Sequence, residues 1–407
     1  MITEKSKPIS PSTPDFIPLA VPAIQGNEWR YIKECLDTNW VSSVGPFVER
    51  FENAIAAQVG TRFAVATVNG TAALHVALLL AGVKPADEVL VSTLTFIAPV
   101  NAIRYVGAWP VFIDADQDYW QMEPSGVVDF LERGCHWQNG ALHNRLTGRR
   151  VSAIIPVHIL GHPVNLDPIL EIARKYRLKV IEDATESLGA MYKGRRVGSI
   201  GDIAAFSFNG NKIITTGGGG MLATSNEEWA RKAKHLTTQA KDDPIEYIHS
   251  EIGYNYRLTN LLAAMGCAQL EQLESFMAAK QRIATRYAEG LQGLPGISTM
   301  KEAPWASSVW WLYTILIDSS AFGTDSRGLM RSLSSRNIQT RPLWQPIHLS
   351  EAHKDRNQTK LPIAEKLYLQ ALSLPCSAGL TEEEQSRVIE EIRTIAASAS
   401  SGEIPCN

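Results

Sequence analysis

Short apolar runs alternate with stretches of helical periodicity through the first half of the chain. The run Phe63–Val68 is followed by Asn-Gly and then by TAALHVALLLAGV, in which apolar residues recur at helical spacing. Further short apolar runs follow at Glu88–Ser92, Pro110–Ile113, Ala153–Val157, Lys179–Ile181, Ala204–Phe208 and Gly220–Ala223. This alternation predicts an α/β fold whose mostly parallel sheet is covered by helices on both faces. Ligands of such sheets bind beyond the carboxyl ends of the strands.

The patterns divide the chain into three predicted parts. Residues 1–26 form an N-terminal arm that begins polar and rich in Pro and Ser. Residues 27–270 form a large domain that opens with two amphipathic helical stretches. Residues 271–407 form a smaller C-terminal α+β domain.

Three further segments define how these parts connect. A long helix is predicted from about Thr259 past Ala278, and it bridges the large domain to the small one. The small domain contains a predicted strand at Trp311–Ile317 and a final amphipathic helix at Glu382–Ala397. Within the large domain, the polar segment Glu132–Arg150 is expected to be an exposed insertion.

Composition excludes several classes of protein. The 39 basic and 42 acidic residues leave a formal net charge of −3, which does not favour binding to nucleic acid or to an anionic membrane. The five cysteines are scattered without a CxxC pair, and no histidine–carboxylate cluster has the spacing of a metal site. No signal peptide or membrane-spanning run is evident, so a cytoplasmic location is expected.

The most informative segment runs from Ile181 to Thr224. The apolar run LKVIE leads into Asp183, and Lys212 lies between a later short strand and a glycine run. A carboxylate at a strand end can pair with the protonated ring nitrogen of pyridoxal phosphate, and a lysine in a tight turn can form a Schiff base with its aldehyde. The alternatives are a helix cap for Asp183 and a solvated side chain for Lys212.

A helix start and two nearby side chains complete the predicted cofactor pocket. The turn Asn69–Ala72 joins a strand to a helix, where free N–H groups and the positive end of the helix dipole favour a phosphate. Ser207 adds a hydroxyl for the same phosphate, and Phe96 follows another strand and can stack on the cofactor ring. On local grounds alone, helix capping by Thr71 and core packing of Phe96 are equally compatible with the sequence.

With these residues in place, the chain resembles the DegT/DnrJ/EryC1/StrS family of nucleotide-sugar aminotransferases, from about Ile17 to Ala397. The family motif EDAAQ–GA–YKG–VGS–GD–SF–K–TTGEGGM reads here EDATESLGAMYKGRRVGSIGDIAAFSFNGNKIITTGGGGM. The segments NGTAALH, TLTF, VHILGHPVNLDPI and GYNYRLTNLLAA match as well. The opening GNEWRYIKECLDTNWVSSVGPFVERFE and the insertion ending in LTGRR look closest to the LegC subgroup, which aminates a 4-keto-6-deoxy sugar nucleotide.

The resemblance implies a fold and a set of residue roles. The fold is that of aspartate aminotransferase (fold type I), with a large, mostly parallel seven-stranded sheet and a smaller C-terminal α+β domain. Lys212 would be the Schiff-base lysine and Asp183 the partner of the ring nitrogen. The remaining cofactor contacts fall on Gly70, Thr71, Ala72, Phe96, Ser207 and Asn255. Asn255 matches a residue that the family donates from the neighbouring subunit, which implies a homodimer with shared active sites, and Arg257 is a candidate beside it.

Three positions depart from the common family pattern. Glu186 stands where Gln or His usually lies near the phenolate oxygen of the cofactor, Asn209 replaces a frequent His, and Gly218 replaces the Glu of GEGG. A carboxylate beside a phenolate is unfavourable unless it is protonated or turned to another partner. Glu186 and Asn209 therefore remain candidate cofactor contacts. The candidates for the sugar nucleotide are Arg257, Arg341, Trp344 and His348.

The activity that the resemblance implies is transfer of the amino group of L-glutamate to the C4 ketone of a nucleotide-linked 4-keto-6-deoxy sugar. The favoured acceptor is UDP-2-acetamido-2,6-dideoxy-hexos-4-ulose or its GDP equivalent, for surface polysaccharide or nonulosonic acid synthesis. The alternatives are a perosamine synthase-like enzyme acting on GDP-4-keto-6-deoxymannose and a non-catalytic pyridoxal phosphate-binding regulator. A nicotinamide-dependent oxidoreductase is disfavoured because no GxGxxG motif opens a helix.

Overall fold

A computed structural model describes residues 15–243, 245–353 and 360–400 of the chain. The strands of the large domain are short, as the apolar runs predict. They are β1 Phe63–Thr67, β2 Glu88–Ser92, β3 Trp109–Ile113, β4 Cys135–Gln138, β5 Ala141–Asn144, β6 Arg150–Ile155, β7 Lys179–Asp183, β8 Met191–Tyr192, β9 Arg195–Arg196, β10 Ile203–Ser207 and β11 Gly220–Thr224.

The main sheet has the strand order β1-β11-β10-β7-β6-β2-β3. Strand β11 is antiparallel to both of its neighbours, and the other pairs along this path are parallel. The α/β class and the seven predicted strands of this path are confirmed, but the whole sheet is mixed and has nine strands, because β4 and β5 join it at β6. The parallel strands end at one edge, and β1, β7 and β10 bring their carboxyl ends together there.

The segment Glu132–Arg150 is not the exposed insertion that its polar sequence predicts. It contains the hairpin β4–β5, and β5 pairs with β6, so the hairpin extends the main sheet. Cys135 and Leu142 are buried, whereas Trp137 is 46% exposed. The segment reads as polar because only some of its side chains face the core.

Helices cover both faces of the main sheet, as predicted. They are α1 Glu28–Asp37, α2 Pro46–Val59, α3 Gly70–Leu80, α4 Ala98–Tyr105, α5 Pro124–Arg133, α6 Leu166–Tyr176, α7 Glu227–Thr237 and α8 Asn260–Leu270. Val89 and Val91 of β2 belong to the hydrophobic cluster that includes residues of α3, α4 and α7, whereas Leu90 belongs to the cluster that includes residues of α2, α5, α6 and α8. This alternation follows from the two-residue period of a strand, and it explains why the strands of a sheet covered on both faces are apolar throughout.

The C-terminal part combines helices with a small antiparallel sheet. Its elements are α9 Leu273–Leu291, β12 Ile297–Thr299, β13 Ala306–Ser307, β14 Tyr313–Ile317, α10 Ser319–Phe322, α11 Ser326–Ser334, α12 Pro362–Gln370, β15 Ala371–Leu374 and α13 Glu382–Ser400. Strands β12, β14 and β15 form one sheet, and β13 pairs with β8 of the large domain. None of the described helices has the length and apolar character that crossing a bilayer demands.

The single long helix predicted from Thr259 is two helices, α8 and α9, separated by Glu271 and Gln272. The break lies beside the expected domain division at residue 270, and the domain limits themselves stay a prediction. Of the predicted arm 1–26, residues 1–14 lie outside the described residues. Ile17 is buried and pairs with Ile338, so the arm from this point on packs against the C-terminal part.

Candidate active site

A cavity of about 350 Å³ lies beyond the carboxyl ends of β1, β7 and β10, and we call it the central cavity. Two tryptophans of the C-terminal part close one side of it. Its lining consists of Asn69, Gly70, Thr71, Thr95, Phe96, Ala98, Pro99, Asp183, Thr185, Glu186, Ser207, Asn209, Asn211, Lys212, Trp311 and Trp344. Most of the predicted cofactor residues therefore meet in one place, as expected for ligand sites of parallel sheets.

The phosphate end of the central cavity is the start of α3. Asn69 is the N-cap, and its side chain accepts a hydrogen bond from the N–H of Ala72 at 2.8 Å. The first N–H groups of a helix lack partners within the helix, so those of Gly70 and Thr71 can bind an anion together with the Ser207 hydroxyl. Ala72 does not line the cavity, and its N–H is already used by the cap.

Gly220 lets strand β11 approach this turn closely. A β-carbon at Gly220 would overlap the backbone of Asn69 and the amide of Gly70. Because Gly220 has no side chain, β11 can lie against the phosphate turn. The lack of a side chain at Gly220 therefore helps to define the position of the first residues of α3.

We expect Gly220→Ala to lower the free energy of unfolding by about 2 kcal/mol, because backbone must move to admit the methyl group. The same movement displaces the phosphate turn, so the Kd for pyridoxal phosphate should rise. Denaturant unfolding and cofactor titration of the apo-protein measure both effects. Gly218→Ala is the matched control, since a β-carbon there meets nothing within 4 Å. Equal stability of the two variants would contradict the close approach.

Asp183 is the last residue of β7 and is 2% exposed. Its Oδ1 accepts the N–H of Thr185 at 3.1 Å. Burial raises the pKa of Asp183, while the hydrogen bonds from Thr185 and the charge of Lys212 act in the opposite direction. A buried carboxylate in this position is stabilised in its ionised form by a cation brought against it, and a protonated pyridine ring is such a cation.

Lys212 lies in the turn between β10 and β11, and its backbone N–H donates to the carbonyl of Asn209 at 3.0 Å. Its side chain is 14% exposed, and Nζ lies 3.6 Å from Oε1 of Glu186. On another side, Nζ lies 4.1 Å from the ring centroid of Trp311. The amine is thus held between a carboxylate and an aromatic face within the central cavity.

Glu186, where the family pattern has Gln or His, has two partners in this structure. Besides its contact with Lys212, its Oε2 accepts the N–H of Leu160 at 2.8 Å. Burial raises the pKa of Glu186 to about 7, although the Lys212 charge and the Leu160 hydrogen bond oppose the rise. The Glu186 carboxylate is therefore turned to other partners. This is one of the two conditions, the other being protonation, under which a carboxylate is acceptable beside the phenolate oxygen.

These residues fit pyridoxal phosphate. The cavity supplies a helix start for the phosphate, a buried carboxylate for the ring nitrogen and a lysine amine for the aldehyde. The Phe96 ring lines the same cavity and is 55% exposed, although it is large and apolar. A flat ring lying against it would remove that apolar surface from water.

Besides Ala72, four predicted residues do not line the central cavity of their own chain. Asn255 is exposed and forms a β-bridge with Thr238. The Arg257 guanidinium forms an ion pair with Glu52 at 2.6 Å. The predicted roles of these two residues stay predictions.

Two further candidate sugar contacts, Arg341 and His348, also lie outside the cavity lining, whereas another, Trp344, is part of it. Arg341 is exposed, and its backbone pairs with Ser373. His348 is buried, with Nδ1 at 2.7 Å from the Thr93 hydroxyl and Nε2 at 3.3 Å from Glu365. The structure thus surrounds His348 with protein partners, and its role toward a sugar nucleotide stays a prediction.

Sequence reasoning missed some residues of the cavity. Thr185 could have been found, since a threonine two residues after a strand-end aspartate commonly bonds back to it. Thr95 precedes Phe96 in the matched TLTF segment and could also have been found. Trp311 gave no local signal, because it comes from a distant part of the chain. No group of three or more metal-binding side chains was found among the described residues.

The profile of the DegT/DnrJ/EryC1/StrS aminotransferase family matches residues 22–393. The chain belongs to this family. It is similar to the putative pyridoxal phosphate-dependent aminotransferase EpsN of Bacillus subtilis, with 40% identity over 91% of this chain and 94% of that protein. It is equally similar to the GDP-perosamine synthase of Caulobacter vibrioides, with 40% identity over 92% of this chain and 96% of that protein.

Solved structures of the family share the fold. DesV of S. venezuelae has a TM-score of 0.82 and 32% identity, over 91% of this chain and 94% of that one. The aminotransferase TlmJ of Streptoalloteichus hindustanus has a TM-score of 0.85 and 27% identity, over 94% of this chain and all of that one. The protein is therefore a pyridoxal phosphate-dependent aminotransferase of the family that acts on sugar nucleotides, with fold type I, as the sequence predicts. The closeness to the LegC subgroup stays a prediction.

Proposed function

We propose that the protein transfers the amino group of L-glutamate to the C4 ketone of a nucleotide-linked 4-keto-6-deoxy sugar. The observation that supports this most directly is the central cavity, where the Lys212 amine, the buried Asp183 carboxylate and the start of α3 converge. The similarity to proteins named as sugar aminotransferases supports the class of acceptor.

Five of the cavity residues would hold the cofactor in this proposal. When bound, pyridoxal phosphate stores the amino group between donor and acceptor and stabilises negative charge at the substrate carbon. The N–H groups of Gly70 and Thr71 and the Ser207 hydroxyl bind its phosphate. Asp183 keeps the ring nitrogen protonated, because a carboxylate at this position favours the cation. Phe96 would cover one face of the ring.

Lys212 anchors the cofactor and moves the proton. Its Nζ lies inside the cavity and is the base available there for the proton on the carbon that carries the amine. In the second half of the reaction the same amine delivers a proton to the sugar carbon that receives the amino group. Donor and acceptor use one cavity in turn, so the kinetics should be ping-pong.

There are two candidates for the acceptor sugar nucleotide. The sequence favours UDP-2-acetamido-2,6-dideoxy-hexos-4-ulose or its GDP equivalent, for surface polysaccharide or nonulosonic acid synthesis. Relatives named GDP-perosamine synthase, from Caulobacter vibrioides at 40% identity and Escherichia coli O157:H7 at 39%, favour GDP-4-keto-6-deoxymannose as the second candidate.

We expect a panel of UDP- and GDP-linked 4-keto-6-deoxy sugars to include one acceptor with at least about tenfold higher kcat/KM than the rest, since a lost base contact is worth about 1.4 kcal/mol or more. The measurement is release of 2-oxoglutarate from glutamate together with mass spectrometry of the aminated sugar nucleotide. The same sugars with the C4 ketone reduced are the control. If none of these keto sugars supports the turnover of glutamate, the proposed class of acceptor is wrong.

The proposal includes a homodimer in which each subunit completes the other's site, in a cytoplasmic protein. The position of Asn255, exposed and outside its own cavity, supports it. Sedimentation of the purified protein measures the assembly, and a monomer at working concentration would contradict shared sites.

A further inference from the structure

Lys280 of α9 is a lysine buried within the C-terminal part, where it is 4% exposed. Its Nζ donates to the backbone carbonyl of Trp311 at 2.8 Å and also to the backbone carbonyl of Cys376, which follows β15. A polar group removed from water is unfavourable unless it is hydrogen-bonded, and an apolar side chain of similar size avoids this cost. The amine at this position is therefore explained by the two chain segments that it holds.

The backbone just before Trp311 is strained. Trp310 has a φ of 49°, a left-handed conformation that costs a residue of this type about 1–3 kcal/mol. Its indole N–H donates to the side chain of Gln281 at 2.9 Å, and its carbonyl accepts the thiol of Cys376 at 3.5 Å. Strained backbone persists only where the surrounding structure fixes it, and it is common beside functional sites. Here the strained residue precedes one that lines the central cavity.

Trp311 contacts the side chain that is central to the proposed chemistry. Its ring centroid lies 4.1 Å from Nζ of Lys212, and its indole N–H donates to the carbonyl of Asn211 at 2.7 Å. Its backbone N–H donates to the carbonyl of Leu160 at 3.0 Å, and its own carbonyl is the one that Lys280 holds. The ring is therefore a fixed wall beside the lysine amine, and it limits where that amine can move.

We propose that Lys280 is a positioning residue for the proton transfer. By holding the backbone of Trp311 it keeps the indole against Lys212, and the lysine amine stays where it can reach the substrate proton. The ring acts through its shape, so the amine remains available as the base. A displacement of about 1 Å at a reacting group can cost on the order of 100-fold in rate. The inference rests on the proposed function, in which Lys212 is that base.

Fluorine NMR of cofactor-free full-length protein that contains fluorotryptophan tests the first part of this inference. The resonance of Trp311 is the one that Trp311→Phe lacks. It should shift or broaden in Lys280→Met, because Met fills similar space but donates no hydrogen bond to the Trp311 carbonyl. A Trp311 resonance unchanged in Lys280→Met would overturn the inference.

The holoenzyme tests the second part. Lys280→Met should slow the loss of visible cofactor absorbance after mixing with L-glutamate by on the order of tenfold, because the wall beside the Lys212 amine is loosened. The glutamate concentration that gives half of the maximal rate should stay as in wild type. The first-order rate constant does not depend on how much of the protein is folded, so a loss of stability alone leaves it unchanged. An unchanged rate constant would overturn the positioning role.

A double-mutant cycle asks whether Lys280 acts through Trp311. Trp311→Phe alone should slow the same reaction, and Lys280→Met should slow it no further in that background, because the indole that it orients is gone. If Lys280→Met slows the reaction equally in both backgrounds, Lys280 does not act through Trp311 and the inference is wrong.

Tyr287→Phe is the matched control. The hydroxyl of Tyr287, also on α9, donates to the carbonyl of Pro375 at 2.9 Å. The variant therefore loosens the segment beside Cys376 and leaves the bonds of Trp311 in place, so it should react at the wild-type rate. A rate as low as that of Lys280→Met would assign the effect to general packing of α9 and overturn the inference.

Two further outcomes have a defined meaning. If Lys280→Met does not fold, Lys280→Gln, which keeps an N–H donor on a shorter side chain, takes its place in each comparison. If glutamate leaves the absorbance of wild-type holoenzyme unchanged, the proposed function is contradicted. The fluorine spectra of the cofactor-free protein then still decide whether Lys280 holds Trp311.

Discussion

Lys212→Ala is expected to abolish turnover and covalent cofactor attachment together. The variant has no amine at the base of the central cavity, so neither anchoring nor proton transfer remains, and kcat should fall by on the order of 10⁴-fold. Borohydride reduction in the presence of pyridoxal phosphate, followed by peptide mass spectrometry, measures attachment independently of activity. Wild-type protein should carry the adduct on the peptide that contains Lys212, and the variant should carry none.

The same variant should change the pH dependence of folding. The Lys212 charge lowers the pKa values of both Asp183 and Glu186, which burial raises. Without it these pKa values rise further, so the cofactor-free variant should lose more stability than wild type as the pH rises toward alkaline values. Lys193→Ala, which removes an exposed amine, is the control. Turnover of Lys212→Ala at the wild-type rate would contradict the assignment.

Asp183→Asn is expected to separate catalysis from stability. The amide cannot hold a protonated ring nitrogen, so kcat should fall by on the order of 10³-fold. The cofactor-free variant should nevertheless be at least as stable as wild type near neutral pH. The reason is that burial raises the pKa of Asp183, which means that the folded state disfavours the ionised carboxylate, and the substitution removes that penalty.

Two measurements on the same samples distinguish a catalytic role of Asp183 from a purely structural one. Steady-state kinetics reports the fall in kcat, and thermal unfolding of the cofactor-free protein reports stability. Asp167→Asn is the matched control, because its carboxylate is half exposed and paired with Lys193 on the surface. An Asp183→Asn protein that unfolds more readily while keeping its activity would show that the carboxylate only supports the fold.

Local sequence was sufficient for the seven strands along the main path of the sheet and for the centre of the site, but not for the β4–β5 hairpin. The predicted strand Glu88–Ser92 has the same bounds as β2 in the structure. Its side chains are buried on both faces of the sheet, so consecutive residues of the strand are apolar. Asp183 and Lys212 were placed in one cavity because parallel strands end at a common edge. Their roles depend on short-range features, a strand end and a tight turn, that a sequence displays directly.

The break between α8 and α9 could not be predicted, because its cause is far away in the chain. The apolar spacing continues through Glu271 and Gln272, and a single helix is the simplest interpretation. In the structure the Glu271 carboxylate accepts the Tyr31 hydroxyl at 2.6 Å, and the Gln272 amide donates to Glu28 at 3.0 Å. Contacts with α1 therefore accompany the end of α8, and tertiary packing overrides the local pattern.

The contacts of the Lys212 amine could not be predicted from the sequence either, because they also come from distant parts of the chain. Glu186 was recognised as a departure, yet the donor that occupies its Oε2 depends on the left-handed backbone of Leu160. Trp311 reaches the amine only because the C-terminal part packs over the cavity. Neither contact is encoded by spacing or composition near the lysine.

The two tryptophans that close the cavity also set when the enzyme can become competent during synthesis. The lining spans the chain from Asn69 to Trp344, so a growing chain that has completed only the main sheet lacks the two tryptophans that form one wall of the pocket. Domains emerge and fold in order from the N-terminus. Binding of pyridoxal phosphate should therefore occur late in synthesis. The visible absorbance of the bound cofactor should then appear only when the polypeptide is nearly complete.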